Sequence, residues 1–198
     1  MRLESDSYYI DYMVKSDNKE YASIMHFINV WDNGYISDTY GFEQNWMDFE
    51  DAIWTGVSID DRNKGKRIDK QLYNNWVKRV TDCRNRIVEM ADNTSSEKKE
   101  VRVGDYLYNA RNVKDDYRYW LLHITEISAD SIMGATVYID RYDIINHPEP
   151  EHLEQYGIID QSRRITKEVF DLASELIAKT SEEILEEIKK QFQCLTRR

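Results

Sequence analysis

The chain has 198 residues, 41% of them apolar and 32% charged, with a net charge of −10. That length fits one domain or two small ones with a real core, and 14 Tyr with 5 Trp exclude a disordered chain. Seven Gly and two Pro leave little material for glycine-built phosphate loops and long linkers, and no apolar run reaches the roughly 20 residues of a membrane span.

In chain order, the aromatic and β-branched runs Tyr8–Val14 and Ile24–Trp31 read as strands. Asp32-Asn33-Gly34 follows as a turn, because Asn-Gly tolerates positive φ. Tyr35–Phe42 continues the hairpin, Phe49–Trp54 is open between helix and strand, and Thr55–Ile59 reads as a short strand. The first long helix spans Ile68–Met90, where Ile68, Leu72, Trp76, Val80, Cys83, Ile87 and Met90 recur at spacings of three and four. Asp92–Ser96 is a polar break and a candidate boundary.

Val101–Asp140 reads as a three-stranded meander. Its spacing and the opening VGDYLY are similar to small β-barrels of the SH3 or Tudor kind, and the similarity implies a barrel-like architecture for this segment. Both prolines fall in His147-Pro148-Glu149-Pro150, which reads as a stiff connector. Thr166 can cap a helix running to about Phe192, with the stripe Val169, Leu172, Leu176, Ile184, Ile188 and Phe192. Thr180 and Glu183 have capping-box spacing, so a second helix can start there. No internal repeat is visible.

Charge is unevenly placed. Between Glu20 and Asp61 lie nine carboxylates and no Lys or Arg. Within it, Trp31–Trp54 holds seven aromatics and six acids in 24 residues. One reading is a binding face in which carboxylates meet a partner's Lys and Arg while aromatic rings supply contact area. Its residues are Asp32, Tyr35, Asp38, Tyr40, Glu43, Trp46, Asp48, Glu50 and Asp51. The alternative is a meander whose rings point inward beside solvated acids. A basic block follows, with Arg62, Lys64, Lys66, Arg67, Lys70, Lys78 and Arg79. It can touch nucleic-acid phosphates, or simply balance the acids before it.

The order strand, Arg-x-x-Gly-x, helix over Val57–Leu72 resembles the acetyl-CoA pyrophosphate loop of GNAT-type N-acetyltransferases. The resemblance implies phosphate contacts from Arg62, Gly65 and the next helix start, with Lys64, Lys66, Arg67 and Lys70 as neighbouring cations; Arg67 stands where the family has a small residue. His147, Glu149, Glu151 and His152 lack the i, i+4 helical spacing of paired metal ligands. Cys83 and Cys194 lack metal or redox spacing.

The expected fold is α+β: two antiparallel β-meanders, a central amphipathic helix and a C-terminal helix or helix pair. The halves are 1–93, the acidic and aromatic meander with its helix, and 101–198, a barrel-like meander with C-terminal helix, possible as one compact unit. The expected function is non-enzymatic: an acidic cytoplasmic protein, without cofactor or metal, binding a basic surface of another macromolecule. Small, acidic, motif-free inhibitors of defence proteins, anti-CRISPR and DNA-mimic proteins among them, share this composition, which suggests a nucleic-acid-handling target. Membrane contact is not expected, direct nucleic-acid binding is the weaker reading, and a homodimer through the C-terminal helix is open.

Overall fold

A computed structural model describes residues 3–55, 65–97, 100–113, 116–153 and 159–196. The architecture is α+β. Ten strands form one antiparallel sheet, which corrects the expected pair of separate meanders, and two long helices accompany them. The chain divides into two compact units, residues 1–81 with 180–198, and residues 82–179.

In the first unit the strands are β1 (Ser7–Val14), β2 (Glu20–Trp31), β3 (Gly34–Glu43), β4 (Trp46–Thr55) and the short β5 (Lys66–Ile68). Their order is β5-β1-β2-β3-β4, so a four-strand meander gains an edge strand beside its first member. Phe49–Trp54 is therefore strand, not helix. Of the expected short strand Thr55–Ile59, Thr55 ends β4 and residues 56–59 lie outside the described residues. The Asn33-Gly34 turn is real, but its reason differs: positive φ occurs at Asn18 and Asn45, not at Asn33 or Gly34. Gly34 is needed for close approach, since a Cβ there would overlap the Trp54 carbonyl oxygen. Gly34→Ala is expected to cost about 1–3 kcal/mol, read as a lower urea midpoint; an unchanged midpoint would refute the steric account.

In the second unit the strands are β6 (Tyr106–Val113), β7 (Asp116–Ile127), β8 (Ile132–Ile139), β9 (Asp143–His152) and β10 (Arg163–Arg164), in the order β10-β6-β7-β8-β9. The barrel-like expectation is corrected: β6 has β10, not β9, as its second neighbour, so the row stays open. The proline segment is no connector but part of β9. Gly134 pairs with Glu151 and Thr136 with His147, so residues 148–150 bulge outward opposite a single residue. A bulge needs no ladder N–H from its prolines, which is why a strand can hold both.

Helix α1 spans Lys70–Thr94; Ile68 belongs to β5 instead. Helix α2 is a single helix, Lys167–Thr196, the first of the two expected alternatives. Thr166 does cap it, accepting from the Val169 N–H at 3.4 Å. Thr180 does not break it. The buried stripe is Val169, Phe170, Ala173, Ile177, Thr180, Ser181, Ile184, Leu185 and Ile188, so Thr180 is a small buried member of it, whereas Leu172 is 48% exposed.

The halves of the chain repeat one plan, which corrects the expectation of no internal repeat. Each runs meander, short edge strand antiparallel to the first strand, then long helix. Positive φ recurs before the first strand, at Asp6 and Gly104. A register shift recurs at Phe27/Asn29 and at Ile124/Glu126. In the first half Tyr8 stacks on His26 at 4.4 Å, with Tyr73 of α1 5.1 Å from Tyr8. In the second, Tyr106 stacks on His123 at 4.4 Å, with Phe170 of α2 5.6 Å from Tyr106. The helix caps correspond too, Asp69 to the Leu72 N–H and Thr166 to the Val169 N–H.

Candidate functional site

Strand alternation decides where the acid and aromatic residues of the first unit point. Tyr8 and Tyr40 meet Tyr73 of α1, so they mark the helix side of the sheet. Asp38 is paired with His26, which stacks on Tyr8, and Asp51 is paired with Asp38; both are on this side. Burial raises the Asp38 carboxyl above its ordinary range, with Asp51 adding and His26 opposing. Beside them Asp6 accepts from the Tyr8 hydroxyl at 3.0 Å and lies 3.1 Å from His26 Nε2. Those contacts, the Tyr8 hydrogen bond first, hold Asp6 below the ordinary carboxylate range.

The opposite side carries two patches. Tyr35 is buried there with Leu3, Tyr9 and Phe27, and Trp54 packs against them, so Tyr35 serves the core. The second patch is acidic. Glu43 pairs with Trp46, Gly41 with Asp48 and Thr39 with Glu50, which brings Glu43, Asp48 and Glu50 around Tyr21. A Cβ on Gly41 would overlap both Asp48 Oδ1 and the Tyr21 hydroxyl, so the missing side chain is what lets these two meet. Burial pushes the Tyr21 hydroxyl far above the ordinary tyrosine range, and Asp48, Glu50, Glu43 and Asp11 push it further. Lys15 binds Glu43 at 2.5 Å and lies 5.0 Å from the Tyr21 ring centre. Trp46 is 39% exposed at the patch margin, and Asp32 is exposed in the β2–β3 turn. The nine residues expected to share one face are therefore split. Glu43, Trp46, Asp48 and Glu50 come together; Asp38, Tyr40 and Asp51 lie on the helix side.

A groove of about 520 Å³ opens beside this patch, between the β1–β2 turn, the β3–β4 turn and α2. Glu20, Glu43, Glu182 and Glu186 line it, with Leu185 also contributing. Lys189 holds Glu20 at 2.6 Å and Glu186 at 3.3 Å, while Glu182 makes no ion pair among the described residues. Sequence reading missed this groove. By helical spacing Glu182 and Glu186 fall on the exposed face of the C-terminal helix, and only the fold brings them to Glu20 and Glu43.

In the basic block, Arg67 and Arg79 meet carboxylates outside residues 20–61. Arg67 binds Glu4 at 2.9 Å, and Arg79 binds Glu183 at 2.8 Å and Glu187 at 2.9 Å. The Tyr8 hydroxyl, first, and Asp6 raise the Lys70 ammonium above its ordinary range. Lys66 lies 5.8 Å from the Phe192 ring centre. Arg62 and Lys64 lie outside the described residues. Gly65 leads into β5, not directly into a helix. The first turn of α1 is already capped by a carboxylate, Asp69 accepting from the Leu72 N–H at 2.8 Å, where the acetyl-CoA reading requires a phosphate.

Among the described residues no group of three or more His, Cys, Asp or Glu is arranged to hold a metal, and no helix is long and apolar enough to cross a membrane. Cys83 is buried, its thiol donating to the Leu176 carbonyl at 3.9 Å, Cys194 is exposed, and neither forms a disulfide. Comparison with protein-family models, with curated proteins and with solved structures found no match.

Proposed function

We propose that this protein is a non-enzymatic binding protein whose acidic sheet face takes a basic surface of another macromolecule. The observation that carries the reading is the cluster of Glu43, Asp48 and Glu50 around Tyr21, with Trp46 exposed at its margin. Carboxylates of one sign on a rigid sheet attract and orient a cationic partner, and a marginal Trp adds contact area at low entropic cost. A protein that handles nucleic acid presents such a basic surface, because it must meet phosphates. Blocking that surface, as anti-CRISPR and DNA-mimic inhibitors do, is the biological outcome the composition fits.

The test compares wild type with Asp48→Lys/Glu50→Lys, both strand positions on the acidic side of the sheet. Each is immobilised and exposed to nuclease-treated bacterial lysate at low and moderate salt. Wild type is expected to retain a basic protein that salt weakens, and the double variant to lose it while keeping its circular dichroism. Equal recovery by both proteins would defeat the proposal.

A further inference from the structure

Resting on the reading of a basic partner, we infer that the groove of the first unit receives an arginine side chain from that partner. The second unit, residues 82–179, shows what fits such a place. There α1 passes its Arg84 into the corresponding position: Nη1 donates to the Tyr117 hydroxyl at 2.9 Å and Nη2 to the Arg141 carbonyl at 3.3 Å. The guanidinium lies 5.7 Å from the Tyr117 ring centre.

The correspondence follows from the repeat. Tyr117 stands near the start of β7 opposite Asn112, as Glu20 stands at the start of β2 opposite Val14. Arg141 follows β8 at the turn into β9, as Gln44 follows β3 at the turn into β4. Counting along unbroken helices from Tyr73 and Phe170, Arg84 corresponds to Ser181. Ile87 and Ile184, three residues further on, are both fully buried, which keeps the two helices in phase.

The first unit thus has Ser181 where the second has Arg84, and it has an open groove where the second has a guanidinium. The acceptors remain and are more acidic: Glu20 replaces a tyrosine hydroxyl, Gln44 keeps its place in the turn, and Glu182 and Glu186 line the wall. A planar guanidinium suits acceptors set apart in this way, because its five N–H groups form a rigid fork; an ammonium is a point donor. Lys19 also lines the groove, Lys15 holds Glu43, Lys189 holds Glu20 and Glu186, and the Tyr12 hydroxyl donates to Glu20 at 2.6 Å, while Glu182 makes no ion pair among the described residues.

Nα-acetyl-arginine methylamide is the probe, followed by ¹H–¹⁵N shift mapping of the full chain, with the lysine analogue as control. Saturable shifts are expected at Asn18, Lys19, Gln44, Asn45 and residues 182–186, with the lysine analogue roughly tenfold weaker. Glu182→Lys, an exposed position, should weaken the probe about tenfold at an unchanged melting temperature. Ser181→Arg should fill the groove from within and abolish binding; should that variant not fold, Glu182→Lys decides. Shifts absent from these amides, equal binding of the lysine analogue, or full binding by Glu182→Lys would each overturn the inference. A probe that fails here while Asp48→Lys/Glu50→Lys still loses the basic partner would sink the arginine groove and leave the acidic face standing.

Discussion

Trp76→Ala is expected to lower the unfolding free energy by about 3–5 kcal/mol, the range for removing a buried Trp. Trp76 is 2% exposed and among the largest fully buried side chains of the protein. Its indole N–H also donates to Glu187 Oε2 at 2.9 Å. Glu187 and Glu183 both receive Arg79, so the change removes one hydrogen bond but leaves Glu187 paired. The loss is then mainly apolar burial plus the cavity left behind. At roughly 2–4 °C per kcal/mol for a chain of this size, the melting temperature should fall by roughly 6–20 °C. Against a total of about 5–15 kcal/mol, this is a large fraction. A loss below about 1 kcal/mol in urea unfolding would mean that the site collapses around the smaller side chain and that Trp76 does not anchor the first unit.

Alkaline unfolding should be steep. Burial pushes the Tyr73 hydroxyl far above the ordinary tyrosine range, with Tyr40 and Asp38 adding. Burial does the same to Tyr108, whose hydroxyl also donates to Asp92 at 3.0 Å. Both rings are nearly inaccessible, at 6% and 2% exposure. A raised folded-state pKa means the folded protein keeps its proton where the unfolded chain releases it. Stability is therefore fully present below the unfolded tyrosine pKa of about 10 and is lost as pH rises above it. Each buried hydroxyl costs about 1.4 kcal/mol per pH unit in that window, so the two together remove about 2.7 kcal/mol per unit. Unfolding by circular dichroism should coincide with a late rise in phenolate absorbance, and Tyr108→Phe should make the loss shallower. Ionisation of all tyrosines near pH ~10 with the fold intact would contradict this account.

These two expectations draw on different levels of the chain. Trp76 was legible as a member of the α1 stripe, because burial of a helix face follows from spacing alone. Tyr108 was not: its burial depends on Asp92 and the strand β6 meeting, a pairing between distant segments. The acid and aromatic segment shows the same division. Period-two alternation announces that neighbours point to opposite sides. It does not say which side the helices cover. That choice put Asp38, Tyr40 and Asp51 on the side of the sheet that meets α1 and left Glu43, Asp48 and Glu50 on the other side.

The repeat escaped the sequence because its two copies keep geometry with different residues. Tyr73 and Phe170, Asp69 and Thr166, or Asp6 and Gly104 do the same backbone or packing job without being identical. Packing asks for volume and apolarity, and a cap asks for an oxygen, so many residues satisfy each position.

By itself the sequence determined the strands β1 to β3, most of α1, the Thr166 cap, the segregation of charge and the paucity of loop-forming glycine, all consequences of local spacing and side-chain chemistry. Only the tertiary structure decided that prolines sit in a bulged strand, that α2 is continuous, that Arg67, Lys70 and Arg79 answer to Glu4, Asp6, Glu183 and Glu187, and that an acidic groove stands open where Arg84 fills its counterpart. Each of those depends on which remote backbone segments pair, and local spacing carries no information about partners that far away.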